Sequence, residues 1–357
     1  MEKAVTHLRE AFRWSTAAGA ERMEPLAAGI GMAAPVFAGA TTGHPGAGLI
    51  AAVGAMAMSG ASPSANRRAQ ARRLGEIFLV VLAAALAAAI AARHGKMTDV
   101  IIMAFAATAA VIGGYSRSLV EATMRFILYV VLVSGIAATT ADQRAAMVML
   151  VGAGALWAGL LAFVFASASR AIVPAPRQAQ QIDRAQKPEP TASQKFARWK
   201  RSLRQLAGWQ YTLRLLLCLS AATLLKWLFP SHHLHWVTLT VALLLHRQAE
   251  TLPLKVTQRA LGVAAGIGVA MAPLFLGLPA WAMTLFIGIL AGARPVLRNR
   301  NYLAYSVVAT ALIILAMEAN RPPSAAILAD RLVATLIGAS LVIVANWGAT
   351  RLLRSTE

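Results

Sequence analysis

Residues 74–92 read LGEIFLVVLAAALAAAIAA, nineteen residues in which Glu76 is the one charged side chain. An α-helix of this length rises by about 28 Å, close to the ~30 Å thickness of the hydrocarbon core of a bilayer. Arg73 lies directly before the stretch, and Arg93 lies directly after it. The stretch therefore predicts a helix that crosses a lipid membrane.

Similar apolar runs recur along the whole chain, bounded by charged or by Pro- and Gly-rich segments. They predict an all-α, polytopic integral membrane protein with about twelve transmembrane helices. The spans are expected near 25–43, 45–62, 74–92, 97–114, 119–139, 145–166, 210–229, 234–249, 260–277, 279–293, 302–320 and 329–349. The first two are Gly- and Ala-rich and weakly hydrophobic, so the sequence leaves open whether both cross the membrane.

The composition excludes an ordinary soluble protein. Of the 357 residues, 58% are hydrophobic and 13% charged, against about 45–50% and 25% in soluble domains. The formal net charge of +20 would suggest nucleic-acid binding in a soluble protein. Here the cations lie in short segments between apolar runs and no nucleic-acid-binding motif is present, so no nucleic-acid partner is expected.

The cations also predict the orientation in the membrane. With the twelve spans alternating across the bilayer, 26 of the 34 lysines and arginines fall on one side and six on the other. Cytoplasmic loops carry the excess of positive charge. Both termini are therefore predicted to be cytoplasmic, and no cleaved signal peptide is expected because the first 24 residues contain no long apolar run.

The two halves of the chain resemble each other. AQARRLG at 69–75 resembles VTQRALG at 256–262, and GAG at 152–154 resembles GAS at 338–340. Such matches recur in the same order at offsets of 185 to 188 residues, which predicts a duplication of six spans, 25–166 and 210–349. An even number of spans keeps both copies in one orientation, so the repeats are expected to be parallel, with a pseudo-two-fold axis along the membrane normal.

The segment 167–209 joins the halves and is predicted to be cytoplasmic, beginning as a flexible linker rich in Ser, Ala, Pro and Gln. In its second part, apolar side chains recur every three or four residues among five cations; they are Phe196, Trp199, Leu203, Leu206 and Trp209. This pattern predicts a basic amphipathic helix in the inner-leaflet interface. The alternative is a plain cytoplasmic extension of the next span. Residues 1–24 are predicted to form a matching amphipathic N-terminus and 350–357 a cytoplasmic tail.

Two stretches of the second half carry a family resemblance. HWVTLTVALLLH at 235–246, followed by KVTQRALG at 255–262, resembles the fusaric acid resistance-like (FUSC) family, which includes the aromatic acid exporters. DRLVATLIG at 330–338 is similar to the Arg…Thr-x-x-Gly pattern near the end of such modules. The resemblance covers about 210–349, and only the duplication extends it to the first half.

The resemblance implies a bacterial inner-membrane exporter of organic, often aromatic, acids that is driven by the proton gradient. Its expected partners are the lipid bilayer, a small organic anion and either a periplasmic adaptor or further copies of the chain. The alternative is a non-transporting membrane protein with an envelope-assembly or stress role. A hydrated cavity containing Arg72, Arg259 or Glu76 would favour transport over that alternative.

Arg72 and Arg259 occupy corresponding positions at the predicted cytoplasmic start of their spans. A guanidinium there can bind a carboxylate through two parallel hydrogen bonds, so both are candidate substrate-binding residues. The alternative is that both anchor to lipid phosphates. Gly75 and Gly262, three residues on, predict close helix packing.

Proton coupling requires a group that can exchange a proton. The candidates are Glu76 at the start of a span, Glu121 and His246. Arg125 and Arg214 are the predicted intramembrane charges, which are costly unless paired, hydrated or extended to the surface. Glu121 precedes Arg125 by four residues, so an ion pair between them is expected, and Arg214 is expected to extend towards the cytoplasmic surface.

No enzymatic activity or cofactor is expected. The sequence contains no P-loop, dinucleotide fingerprint, HExxH motif or plausible serine triad, so no catalytic residue is assigned. Cys218 is the only cysteine, which excludes an intrachain disulfide, and no metal site is expected although His232, His233 and His235 cluster. Glu318, Asp330 and Arg331 are predicted to form salt bridges at the outer surface.

Overall fold

The computed structural model describes residues 12–15, 23–59, 66–137, 143–172, 191–230, 232, 234–245, 252–318 and 325–354, and the regular structure in them is helical. The helices are α1 (Glu24–Thr41), α2 (Pro45–Met58), α3 (Arg67–Ala91), α4 (Thr98–Ile112), α5 (Arg117–Ala137), α6 (Arg144–Ile172), α7 (Ala192–Leu203), α8 (Leu206–Leu228), α9 (His235–Leu244), α10 (Leu252–Phe275), α11 (Ala280–Arg300), α12 (Tyr302–Glu318) and α13 (Ala325–Arg354).

Every predicted span overlaps one helix, six in the first half (α1–α6) and six in the second (α8–α13). The prediction of an all-α fold is confirmed in the described residues, and the helices are consistent with a polytopic membrane protein. Seven helical stretches are long and apolar enough to cross a membrane, and the longest, Arg67–Ile112, contains two predicted spans. They are joined by the tight turn Ala92–Met97, where Gly95 takes a φ of +54°.

Some helices are shorter than their predicted spans. The apolar helices Pro45–Met58, His235–Leu244 and Tyr302–Met317 have 17 residues or fewer, whereas a crossing takes about 20. Helix α1, at the other Gly- and Ala-rich span, is not among the seven long stretches. The number of complete crossings therefore stays a prediction.

Most helix contacts within one half have a counterpart in the other half, and the α3–α4 contact, beside the turn Ala92–Met97, is an exception. In the first half α1–α2, α1–α6, α2–α6, α3–α5, α3–α6 and α4–α5 are in contact, and in the second α8–α9, α8–α13, α9–α13, α10–α12, α10–α13 and α11–α12. Between the halves, α1 contacts α11 and α4 contacts α8, while α2 contacts α12 and α5 contacts α9. Exchange of each helix for the helix at the same position in the other half converts the α1–α11 contact into the α4–α8 contact. The same exchange converts the α2–α12 contact into the α5–α9 contact.

Small residues permit the closest of these contacts. On α2 and α6, a Cβ added at Gly54 would collide with the carbonyl of Val151, and one at Gly154 with the carbonyl of Ala51. On α13, a Cβ at Gly338 would lie 2.8 Å from the side chain of Thr240 on α9. The α2–α6 and α9–α13 contacts thus both use glycine, as expected for helices packed in lipid.

Large apolar side chains remain exposed on the outer faces of the helices. Leu79 on α3 is 63% exposed, and Trp281, Leu285 and Ile289 on α11 are similarly exposed. In a soluble protein such a surface would be a strong liability, whereas lipid chains satisfy it. This distribution accounts for the apolar excess in the composition.

The predicted basic amphipathic helix is divided between two helices. Helix α7 begins with a capping box of Thr191 and Gln194, and Leu206 and Trp209 belong to α8. The indole nitrogen of Trp199 donates to the carbonyl of Val111 at 3.1 Å, which docks α7 onto the end of α4. Its position relative to a membrane surface stays a prediction, and 173–190 of the linker lie outside the described residues.

Candidate functional site

Two cavities lie between the halves, at opposite ends of α5, α9 and α12. The first, here called the arginine cavity, has a volume of about 310 Å³. It is lined by the end of α2, the N-terminal part of α5, the C-terminal parts of α9 and α11, and the start of α12. The volume is within the range of small-molecule sites, about 300–1,000 Å³.

Three guanidinium groups line the arginine cavity, those of Arg125, Arg294 and Arg298, together with three tyrosines. None of the described residues lining it carries a carboxylate. A concave, partly apolar surface with concentrated positive charge attracts anions. The arrangement can hold a carboxylate through guanidinium groups and offer aromatic rings to the rest of the ligand.

Arg294 is fixed by protein groups. One terminal nitrogen donates to the Met56 carbonyl at 2.7 Å and to the Ser59 hydroxyl at 2.6 Å, and the other to the Tyr305 hydroxyl at 3.4 Å. The Tyr305 ring also lies 5.7 Å from the guanidinium carbon and stacks at 6.0 Å on Tyr302. Arg294 therefore joins α2 to α11 and α12 and positions the two tyrosines at the cavity.

Arg125 is different. It is half-buried in the cavity wall on α5, and within the described part of the chain it makes no hydrogen bond or ion pair. Glu121 acts on Arg125 electrostatically but forms its close contact with Arg73 of α3, at 3.9 Å, so the predicted ion pair of Arg125 and Glu121 is not formed in the described residues. The guanidinium of Arg125 is thus available to a ligand in the cavity.

The second cavity, here called the ion-pair cavity, has a volume of about 550 Å³. Asp99 on α4 and Lys226 on α8 face each other in its wall, with the ammonium nitrogen 2.9 Å from both carboxylate oxygens. Arg144 and His235 also line it. Because α4 and α8 belong to different halves, this ion pair links the halves.

A thin apolar layer separates the cavities. On α5 the lining changes from Leu128 in the arginine cavity to Val131 in the ion-pair cavity, and on α9 from Ala242 to Leu239. Three residues along a helix rise by about 4.5 Å. The two spaces therefore approach each other within about one helical turn at the contact between the halves.

The candidates Arg72 and Arg259 have different surroundings. Arg72 is exposed and pairs with Glu76 at 2.9 Å. Arg259 is 5% exposed and donates to the Ser306 hydroxyl at 3.1 Å. Neither lines either of the two cavities between the halves, and neither does Glu76.

The other candidates are also dispersed. Arg214 does not extend to the surface as expected, since it is buried and donates to the Asn346 side chain at 2.5 Å. His246 and His233 lie outside the described residues. His232 contacts Asp330 at 2.9 Å, in line with a polar contact at that end, whereas Arg331 is buried against Trp236. Packing at Gly262 against Ser306 is confirmed, while Gly75 has open space around it.

Arg294, Tyr305, Asp99 and Lys226 were missed as site residues. Arg294 was assigned to a loop after a span ending at 293, but α11 continues to Arg300 and carries it into the cavity wall. The four-residue spacing of Leu290, Arg294 and Arg298 could have indicated this. Asp99 and Lys226 are 127 residues apart, so no local pattern could pair them.

The family model described as fusaric acid resistance protein-like matches residues 218–345. The match begins within α8 and ends within α13, and it confirms the resemblance found in the second half. It includes Arg294, Tyr305 and Lys226, whereas Arg125 and Asp99 lie in the unmatched first half. No curated protein and no solved structure matches the chain.

Proposed function

We propose that this membrane protein, whose second half matches the fusaric acid resistance proteins, exports small organic anions through the interface between its two halves. The proposal rests on the arginine cavity, whose described lining contains no carboxylate. This cavity lies about one helical turn from the ion-pair cavity. An anion bound by Arg125 needs to pass only that apolar layer to reach the other side.

The arginine cavity is proposed to open towards the cytoplasm of a bacterial cell, with the protein in the inner membrane. It adjoins Ser59 and Arg298, next to loops that carry the excess of cations. Contacts between loops support this sidedness. Ser15 bonds to Arg300, and both lie in segments predicted to be cytoplasmic. Trp199 of the predicted cytoplasmic linker bonds to Val111, which lies near the predicted cytoplasmic end of its span.

The halves are proposed to be parallel repeats. The corresponding helix contacts within each half and the exchangeable contacts between them support a pseudo-two-fold axis that runs between the α5–α9 and α2–α12 contacts. Transporters built from such repeats place substrate at the repeat interface. The arginine cavity, lined by both halves, is in the position that this symmetry favours.

The substrate is proposed to be an organic acid in its anionic form, with an aromatic ring accommodated by the tyrosines. A guanidinium fork matches a carboxylate, while the stacked Tyr302 and Tyr305 rings present an apolar and aromatic surface. Coupling to the proton gradient is part of the proposal. Among the carboxylates considered, Asp99 lines a cavity between the halves, whereas Glu76 and Glu121 are exposed; His246 remains a further candidate.

The experiment is uptake of radiolabelled benzoate and succinate into inside-out proteoliposomes that contain the purified protein. We expect Arg125→Gln to lower the initial rate at least about tenfold, the effect of losing one charge-assisted contact of about 1.5–3 kcal/mol. The matched control is Arg93→Gln, an exposed arginine in the turn between α3 and α4, which should retain the parental rate.

The same assay separates the remaining hypotheses. Arg72→Lys and Arg259→Lys keep the charge but lose the planar fork, so a lower rate in either would assign substrate binding there. Parental rates in Arg125→Gln would refute the arginine cavity as the substrate site. Absence of any anion flux above empty liposomes, with protein correctly inserted, would favour the non-transporting role in envelope assembly or stress.

A further inference from the structure

A third, much smaller cavity lies wholly within the second half, enclosed by α9, α10, α12 and α13. Its volume is about 20 Å³. A space of this size holds about one water molecule or one monatomic ion, so it excludes an organic acid. Arg259 and Arg331 both line it.

The lining contains hydrogen-bond donors that have no acceptor. Within the described residues, the Nε of Arg259, the indole Nε1 of Trp236 and the hydroxyl of Thr310 are buried and make no hydrogen bond. All three residues line the cavity and are 5% exposed or less. Arg Nε and Trp Nε1 can only donate, so the cavity presents at least two donors that only an acceptor can satisfy.

Positive charge is concentrated at the same place. Arg259 and Arg331 are 5% and 4% exposed, and the guanidinium carbon of Arg331 lies 3.2 Å from the centre of the Trp236 ring. No described lining residue carries a carboxylate. A charge inside a membrane protein is costly unless a counter-charge or polar group accompanies it.

We propose that this cavity binds one halide ion, chloride under cellular conditions, between Arg259 and Arg331. A water molecule would leave the two guanidinium charges without a counter-charge, whereas a halide carries a negative charge and accepts from the orphaned donors. Trp236 and Leu239 line both this site and the ion-pair cavity, so the two spaces adjoin at these side chains. The bound halide ties α9, α10 and α13 together.

The test is thermal unfolding of the full-length protein in detergent, titrated with sodium chloride or sodium bromide at constant sodium concentration, with gluconate as the balancing anion. Gluconate is far too large for the cavity. We expect a saturable rise in melting temperature with either halide. In Arg259→Gln the apparent chloride affinity should fall at least about tenfold, as for loss of one charge-assisted hydrogen bond.

Arg214→Gln is the matched control, because Arg214 is also buried but bonds to Asn346 outside this cavity; it should keep the parental halide response. If Arg259→Gln does not fold, Trp236→Phe is measured in its place, since it keeps an aromatic ring and lacks the Nε1 donor, and its halide affinity should also fall. A parental protein equally stable in chloride and gluconate would overturn the proposal, as would equal halide responses in the Arg259 and Arg214 variants. Benzoate transport is not used, so failure here leaves the proposed function intact.

Discussion

Arg294 and Arg125 line one cavity, yet the protein uses the two guanidinium groups differently. Arg294 donates hydrogen bonds to Met56, Ser59 and Tyr305, so it shapes the cavity and supplies positive charge. Arg125 makes no bond within the described residues and can bind a ligand without first losing one. Replacing Arg294 would therefore disturb packing as well as charge, whereas replacing Arg125 tests ligand binding more cleanly.

Asp99 and Lys226 give a prediction at the same scale. We expect Asp99→Asn and Lys226→Gln each to lower the thermal stability of the purified protein, and the double variant to lose less than the sum. The coupling should be about 0.5–1 kcal/mol, because both side chains are partly exposed and surface ion pairs are weak. The measurement is a double-mutant cycle by thermal unfolding. Additive effects would show that the pair does not hold the halves together.

The different surroundings of Arg72 and Arg259 show what the sequence could and could not predict about the site. Their matching positions in the repeats indicated one shared role. However, the residue four positions on is Glu76 in the first half and Val263 in the second. Arg72 therefore finds an ion-pair partner on its own helix, while Arg259 turns inward to Ser306. Surroundings built from distant residues, such as the arginine cavity, leave no such local trace.

At the scale of the element, span prediction succeeded because burial in lipid leaves a long apolar run in the sequence. The ends of helices were harder to predict. Helix α11 extends seven residues past its predicted end at 293, and this extension is what brings Arg294 and Arg298 to the cavity. A charged residue such as Arg294 marks the end of an apolar run, but it does not mark the end of the helix. A cation in the last turns of a helix is favoured by the helix dipole.

Helix packing supplies a prediction at this scale. Gly154→Ala should destabilise the protein by about 1–3 kcal/mol, because the new methyl group collides with the backbone carbonyl of Ala51 and the helices must separate. Gly75→Ala is the matched control. It has open space and should be neutral or stabilising by up to about 1 kcal/mol. Thermal unfolding in detergent measures both, and equal effects would show that the α2–α6 contact is not set by glycine.

At the scale of the whole molecule, the sequence indicated duplication, and the helix contacts are those expected of it. The inter-half pairs α1–α11 with α4–α8, and α2–α12 with α5–α9, exchange as a two-fold axis requires. A two-fold axis along the membrane normal relates equal ends of the two halves, so it is compatible with the concentration of Arg125, Arg294 and Arg298 at one end. The concentration of guanidinium groups at this end supports the proposed entry of an anion from that side.

The two cavities are proposed to be the two ends of one pathway and to open to opposite faces of the membrane. The direct measurement is benzoate flux in proteoliposomes after a bulky, impermeant, anionic thiol reagent is added to one face only. The reactive cysteines are Leu128→Cys in the arginine cavity and Ser134→Cys in the ion-pair cavity, about 9 Å apart along α5. The background is Cys218→Ser, which removes the buried native thiol.

We expect the reagent to block flux through Leu128→Cys from the cytoplasmic face only, and through Ser134→Cys from the opposite face only. Leu79→Cys, on the exposed surface of α3, should conduct normally after treatment. Block of both cavity variants from the same face, or undiminished flux after complete labelling of both, would contradict a pathway between the halves.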